Sequence, residues 1–457
     1  MQKLCIKLLA VGILLCCPLF AQADTQRPAD INPLRLSPGE AVELAIRNNL
    51  DLEALRINTA TARRTSNLTW NQFIPTVDIG GTIHRSNTAP ADTYMGMPLP
   101  SEMRSHQWGA AGFVSATLNI NFAMFAEMNK LKLDYERGLI SYGNAIIQLE
   151  RDIRKAYHNI LLLQEYIAML YLSLENTERQ VLIAQINFNA GVTSELSLLH
   201  AQVARETLRP VINQAESGLR LSMMHFSMLL GLPHDTEFEL IPIETNLSPI
   251  SLDTIELIRR AAAGQGDIQA LRQDILIMNS LRQASNLWLY TPTFSLGWNA
   301  DPTFNRDPWN DNWFERDRWK QQAGAFSFTI GFRLNGLLPF GVERQSVRAL
   351  EDQIRIAHIG LAQMIRGTEI EIHSLVLTLE RIQLNMETLR QTVTLAELSY
   401  RLTEETYRIG RIDFTQVQSA EQFLRQARVQ LYEEQFNYLN SILDLEYTLG
   451  IPFGSLN

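Results

Sequence analysis

The chain has 457 residues, with 40 basic against 49 acidic side chains and three cysteines, Cys5, Cys16 and Cys17. The cysteines all sit near the start, so the rest can form no disulfide, and a chain of this size can bury enough surface without one. The formal charge of −9 argues against a nucleic-acid partner, and no apolar run past residue 23 approaches the ~20 residues of a spanning helix.

Residues 1–23 read as a signal peptide. Lys3 and Lys7 precede an apolar run from Leu8 to Leu15, and the segment ends at Ala21-Gln22-Ala23, a small-x-small cleavage pattern. Lipid attachment at Cys16 or Cys17 is the competing reading, although neither follows a small residue.

The remainder is two weakly similar halves, 24–245 and 246–457. "AIRNNLDLEAL" at 45–55 matches "AAAGQGDIQAL" at 261–271, and "FIPTVDIGG" at 73–81 matches "YTPTFSLGW" at 290–298. "NAGVTSEL" at 189–196 matches "RIGRIDFT" at 408–415, and "MLLGLP" matches "EYTLGIP" near 231 and 450. A repeat this long is a duplicated module rather than a solenoid unit. The Pro-containing stretch 242–249 is the expected joint.

Each half opens with a helix start. Ser37-Pro38-Gly39-Glu40 is a capping box with Pro at the first helical position, and Asp253-Thr254-Ile255-Glu256 is its counterpart. One helix of roughly 35 residues is expected after each, stopping before the aligned Pro75 and Pro292. The period then changes to two, which predicts strands over about 73–85, 108–122, 290–300 and 324–335. One face carries Val77, Ile79, Val114, Leu118, Ile120, Phe294, Leu296, Phe326, Phe328, Ile330 and Phe332; Ser, Thr, Asn and Gly dominate the other. A soluble sandwich would bury that apolar face. A membrane barrel would turn it to lipid, and the strand length suits a tilted membrane strand of ~9–11 residues. Four strands cannot enclose a lumen, since membrane barrels start at ~8. Several chains must therefore share one barrel. The connecting loops 86–107 and 301–323 read as outward-facing, with Trp309, Trp313 and Trp319 near headgroups.

Long heptad-spaced stripes follow each strand pair. One runs from Ile146 through Ile153, Ile160 and Leu170 to Phe188; the other runs from Ile372 through Leu379 and Met386 to Tyr400. In the last helix Val417, Leu424, Leu431, Tyr438 and Leu445 alternate with small or polar companions. That pattern suits a helix wedged into a curved wall. Pro210 should kink the first returning helix. Gly191 and Gly410 end the outgoing helices where a left-handed backbone is needed, and Thr193 or Ser194, and Asp413, are placed to cap the returning ones.

This duplicated order resembles the TolC family of outer-membrane efflux proteins over essentially the whole mature chain. The order is helix, "PT" strand, strand, long helix, Gly turn, helix, then "LGLP" or "LGIP". The resemblance implies a fold that is mainly α with a membrane β-barrel portion: a homotrimer closing a twelve-stranded outer-membrane barrel above a periplasmic α-barrel of coiled-coil hairpins. It implies an exit duct for efflux or type I secretion, working with an inner-membrane transporter and a periplasmic adaptor (membrane fusion) protein. The adaptor would dock on Gly191, Val192, Thr193, Ser194, Gly410, Arg411, Ile412 and Asp413. Family aspartates that narrow the periplasmic mouth align with Gln416 and Ser419 here, a departure that leaves Glu195, Glu404, Glu405 and Asp413 as the nearest acidic candidates for a constriction.

The sequence offers no enzyme. Glu369 and His373 share one helix face at i,i+4, but no second such motif completes a metal site, so neither metal nor cofactor is expected. A soluble periplasmic coiled-coil scaffold is the alternative function, and the lipid-type strand face is what separates the two.

Overall fold

The computed structural model describes residues 34–85, 87, 93–95, 97–98, 108–243, 253–304, 319, 324–334 and 338–456. The expected leader, most of the joint at 242–249, and Trp309 and Trp313 lie outside them.

A short strand β1 (Leu34–Leu36) leads into helices α1 (Pro38–Asn48) and α2 (Leu50–Asn67), then a 3-10 turn (Thr69–Phe73). Strands β2 (Thr76–Arg85) and β5 (Trp108–Ile120) flank the tiny pair β3 (Thr93–Tyr94) and β4 (Met97–Pro98). Helix α3 (Ala123–Asn189) and its return α4 (Glu195–Leu229) make the first hairpin, and β6 (Phe238–Leu240) closes the half by pairing in parallel with β1. The second half repeats the plan. It comprises α5 (Thr254–Gly264), α6 (Gly266–Tyr290), β7 (Thr293–Ala300), β8 (Thr303–Phe304), β9 (Ala325–Gly331), α7 (Val342–Arg408) and α8 (Phe414–Leu449). The outgoing helices α3 and α7 have 67 residues each, a length of about 100 Å at ~1.5 Å per residue.

The Ser37 capping box forms, with Ser37 and Glu40 exchanging backbone and side-chain bonds. The single opening helix expected in each half does not. Asn49 leaves the helix at φ −66°, ψ 123° and restarts it, its Oδ1 accepting from Asp51 N and Leu52 N at 3.0 and 3.1 Å. Its Nδ2 donates to Leu229 O at 3.1 Å, tying the break to the end of α4. Gly231 of "LGLP" fits there with φ +69°, and a Cβ on it would lie 2.3 Å from Asn48 O. The second half repeats the joint: Gln265 sits at φ −61°, ψ 126°, and a Cβ on Gly450, at φ +66°, would lie 2.5 Å from Gly264 O. The "LGLP" and "LGIP" motifs are therefore wedges against the opening helices, and glycine is required by both backbone sign and space.

The strand starts also shift. Phe73 belongs to the 3-10 turn, Tyr290 ends α6, and Phe122 precedes α3 as its flanking residue. Strand β9 ends at Gly331, so Phe332 lies just past it, exposed. Trp319 packs its ring 5.4 Å from that of the buried Phe304.

The heptad stripes become the core. Leu149, Ile153, Tyr157, Ile160 and Phe436 cluster with Phe226, Leu230 and the opening elements. The Tyr157 hydroxyl reaches Leu36 O at 2.9 Å and Ile241 O at 2.6 Å, joining α3 to the β1–β6 pair, and burial pushes its pKa up to about 12. Ile372, Val376, Leu379, Ile382 and Met386 pack on Tyr438, Ile442 and Leu445 across α7 and α8. Pro210 lies within α4, which runs on to Leu229.

Candidate functional site

Two regions carry the function-bearing features: the strand sheet at one end and the hairpin tips at the other. The main path of the sheet runs β2-β5-β7-β9, all antiparallel, with β8 pairing β5 off that path. Its register aligns the expected apolar residues. Ile79 faces Val114; Leu118 faces Leu296, which faces Phe328; Ile120 faces Phe294, which faces Ile330. Val77, Ala116, Trp298 and Phe326 form one more such row. Paired residues share a face, so every one of these expectations falls on one side. That side is bare: Ile79 and Phe326 are each 82% exposed, and Phe328 64%. Monomeric soluble proteins rarely leave so large a contiguous apolar face open. Among the described residues no helix is long and apolar enough to cross a membrane.

The opposite face is polar. Thr76, Thr117, Gly297 and Ser327 form one row; Asp78, Ser115, Asn299 and Ala325 form the next. Sequence reasoning missed one exception, Phe113. It sits opposite Gly80 on this polar face, and a Cβ on Gly80 would lie 2.4 Å from two of its ring carbons. An aromatic at polar parity facing a glycine was the signal available.

At the other end both turns close alike. Gly191 and Gly410 have φ of +71° and +75°. Val192 N donates to Asn187 O at 2.8 Å and Arg411 N to Thr406 O at 3.2 Å, the six-to-one bond of a Schellman turn. The tips meet, since a Cβ on Gly410 would lie 2.9 Å from Val192 Cγ1. Beneath them Ala184, Leu198, Ala201, Tyr407, Phe414 and Val417 form a shared core. The side-chain caps expected there do not form. Ser194 and Asp413 hold extended cap backbones without a side-chain bond; the Schellman turns already fix the chain reversal.

Of the constriction candidates, Glu195, Glu405, Asp413, Gln416 and Ser419 are exposed and Glu404 is half-buried. Ser419 Oγ donates back to Thr415 O at 2.8 Å. Tyr400 is pushed up to about 12, by burial first and by the nearby Glu404 carboxylate second; Gln180 Nε2 donates to its hydroxyl at 3.3 Å. The periodicity also gave no warning of the polar cluster below the tips. Buried Glu421 accepts from the Ser173 hydroxyl, and Arg425 Nη1 donates to Ser173 Oγ at 2.8 Å while lying 3.4 Å from Glu421. It couples α3 to α8 across the two hairpins. Glu369 and His373 are exposed on α7.

Residues 41–226 match the family model described as outer membrane efflux protein. That match falls within the first half of the chain. The fold of the chain is that of solved outer membrane channels. The outer membrane channel CmeC of Campylobacter jejuni superposes with a TM-score of 0.72 at 16% identity, over 90% of this chain and 85% of that one. The outer membrane protein VceC of Vibrio cholerae gives 0.71 at 15%, over 91% and 96%. The open-state MtrE channel of Neisseria gonorrhoeae gives 0.66 at 13%, over 93% and 94%. No curated protein matches the sequence. The fold thus agrees with the TolC resemblance.

Proposed function

We propose that this chain is an outer membrane efflux protein and works as a trimeric exit duct, set in the outer membrane by its strands and reaching into the periplasm by its hairpins. The observation that carries the reading is the sheet: one bare apolar face, one polar face, and two ends, β2 and β9, each with a neighbour on one side only in the strand path. Open edges invite pairing with another chain, and only a closed barrel satisfies backbone groups in lipid. Three copies would supply twelve strands. Helices of about 100 Å then continue the lumen below the membrane.

The duct does no chemistry of its own, so energy comes from an inner-membrane transporter. The paired tips, with Gly191 to Ser194 and Gly410 to Asp413 at the extremity, are the surface for a periplasmic adaptor. Gln416, Ser419, Glu195, Glu404, Glu405 and Asp413 surround the mouth. A soluble scaffold leaves the bare strand face without a purpose.

Reconstitution tests this. Detergent-purified protein is expected to run with the mass of three copies and to give stepwise conductance in planar bilayers, rising in Asp413→Ala if that carboxylate helps close the mouth. A water-soluble monomer without conductance would overturn the proposal.

A further inference from the structure

We infer that Phe113 and Asp78 form a contact site in the barrel lumen for cations that carry aromatic rings, repeated in each copy. The inference rests on the duct reading, in which the polar sheet face lines the lumen. Among the described strand residues of that face, Phe113 is the one large apolar side chain; its neighbours in the ladder are Thr, Ser, Asn, Gly, Ala, Asp and His. It is 41% exposed in the chain. Its ring covers Gly80, where any Cβ would collide with it. The tip of the ring therefore lies over Gly80 along the wall rather than pointing across the lumen, and the exposed part of the ring is available to a passing solute.

Asp78 lies two residues from Gly80 along β2, so it shares the face and sits about 7 Å along the strand. It is exposed and pairs with Ser115, two residues along β5 from Phe113. An aromatic face beside a carboxylate attracts one chemical class above others. The ring quadrupole attracts a cation and also stacks with another ring, and the carboxylate adds charge attraction at a distance that salt screens. An anion gains nothing from either group. Neutral polar solutes have Thr, Ser and Asn contacts at every level and no reason to pause at this one. The site thus gives the duct a preference of its own, weak enough to release what it holds.

The test is blockade of single-channel current by tetraphenylphosphonium and by tetrabutylammonium, monovalent cations of similar bulk of which only the first has rings. Wild type is expected to hold tetraphenylphosphonium longer. Phe113→Ser should shorten that dwell time about three-fold, the scale of an exposed cation–π contact, and leave tetrabutylammonium unchanged. Phe113→Leu keeps apolar cover over Gly80 while removing the π face, so it should fold like wild type yet show the same loss. Asp78→Asn should weaken both blockers alike, most at low salt. Equal blockade in wild type and both Phe113 variants, with only thermal stability altered, would overturn the inference and leave Phe113 as cover for Gly80. Absence of any wild-type conductance would sink the duct reading, and this inference with it.

Discussion

Gly231 and Gly450 show how a pair of residues sets the geometry of each half. Both adopt positive φ, and both press on the backbone where an opening helix breaks, at Asn48 and at Gly264. Replacing either with Ala imposes a left-handed cost of about 1–2 kcal/mol and drives a methyl into a carbonyl that cannot move without shifting a helix end. Gly231→Ala and Gly450→Ala should therefore each lower the melting temperature, followed by far-UV circular dichroism in detergent. Gly218→Ala is the control. Gly218 lies inside α4, and a methyl there would meet nothing within 4 Å, while Ala in a helix is favoured by up to about 1 kcal/mol. A fall for Gly218→Ala as large as for the other two would remove the wedge explanation. The repeat made these glycines visible in the sequence as matched motifs. What they press against was not visible, because the break at Asn49 keeps the helical pattern of apolar residues on both sides. A one-residue excursion to extended backbone leaves no mark on periodicity when Asn caps the next helix itself.

At the scale of elements, the seam between α3 and α8 combines a heptad stripe that could be read with polar contacts that could not. Ile153 and Ile160 fell where the spacing placed them, fully buried. His158 sits in the same seam, 7% exposed, with Nδ1 2.8 Å from Asn440 Oδ1 and its ring 6.1 Å from that of Phe436. A histidine two residues before a stripe position reads as surface until its partner helix is known. Lys155 and Asp444 pair at 2.6 Å across the same helices, and Arg154 adds positive charge near His158. Desolvation lowers the pKa of His158 below its ordinary value, and Arg154 adds to that; the Asn440 bond opposes it. The sign follows from linkage. Below about pH 6.5 the unfolded chain takes up a proton that the folded chain resists, so stability falls as pH drops through that value and is full above it. The melting temperature of wild type should drop between pH 7 and 5 by more than that of His158→Gln, which keeps a donor for Asn440 without a titrating ring. Parallel pH profiles for the two proteins would show that His158 carries none of the dependence.

For the whole molecule, the distribution of apolar surface decides between a protein dissolved in water and one set in lipid. Alternation identified the strands and both of their faces from sequence. Their exact limits escaped it, since Phe73, Phe122, Tyr290 and Phe332 continue the alternation into turns and helix ends where no ladder exists. Adjacent residues on β9 allow the face assignment to be tested with one kind of substitution. Phe328 pairs with Leu296 on the bare apolar side, and Thr329 pairs with Ser295 on the polar side. A lysine facing hydrocarbon near the bilayer midplane of a barrel costs about 2–4 kcal/mol, while one facing the lumen is solvated. Symmetry would apply that cost three times in a closed trimer. Phe328→Lys should therefore cut the yield of detergent-stable trimer in the outer-membrane fraction severely. Thr329→Lys, one residue away, should assemble normally and shift only ion selectivity, toward anions, because its ammonium would stand in the lumen. A sandwich burying the apolar face would also reject Phe328→Lys, but it would yield a soluble misfolded chain and show no selectivity change for Thr329→Lys. The joint outcome, assembly lost on one face and charge selectivity altered on the other, distinguishes a lipid-facing wall from a buried one.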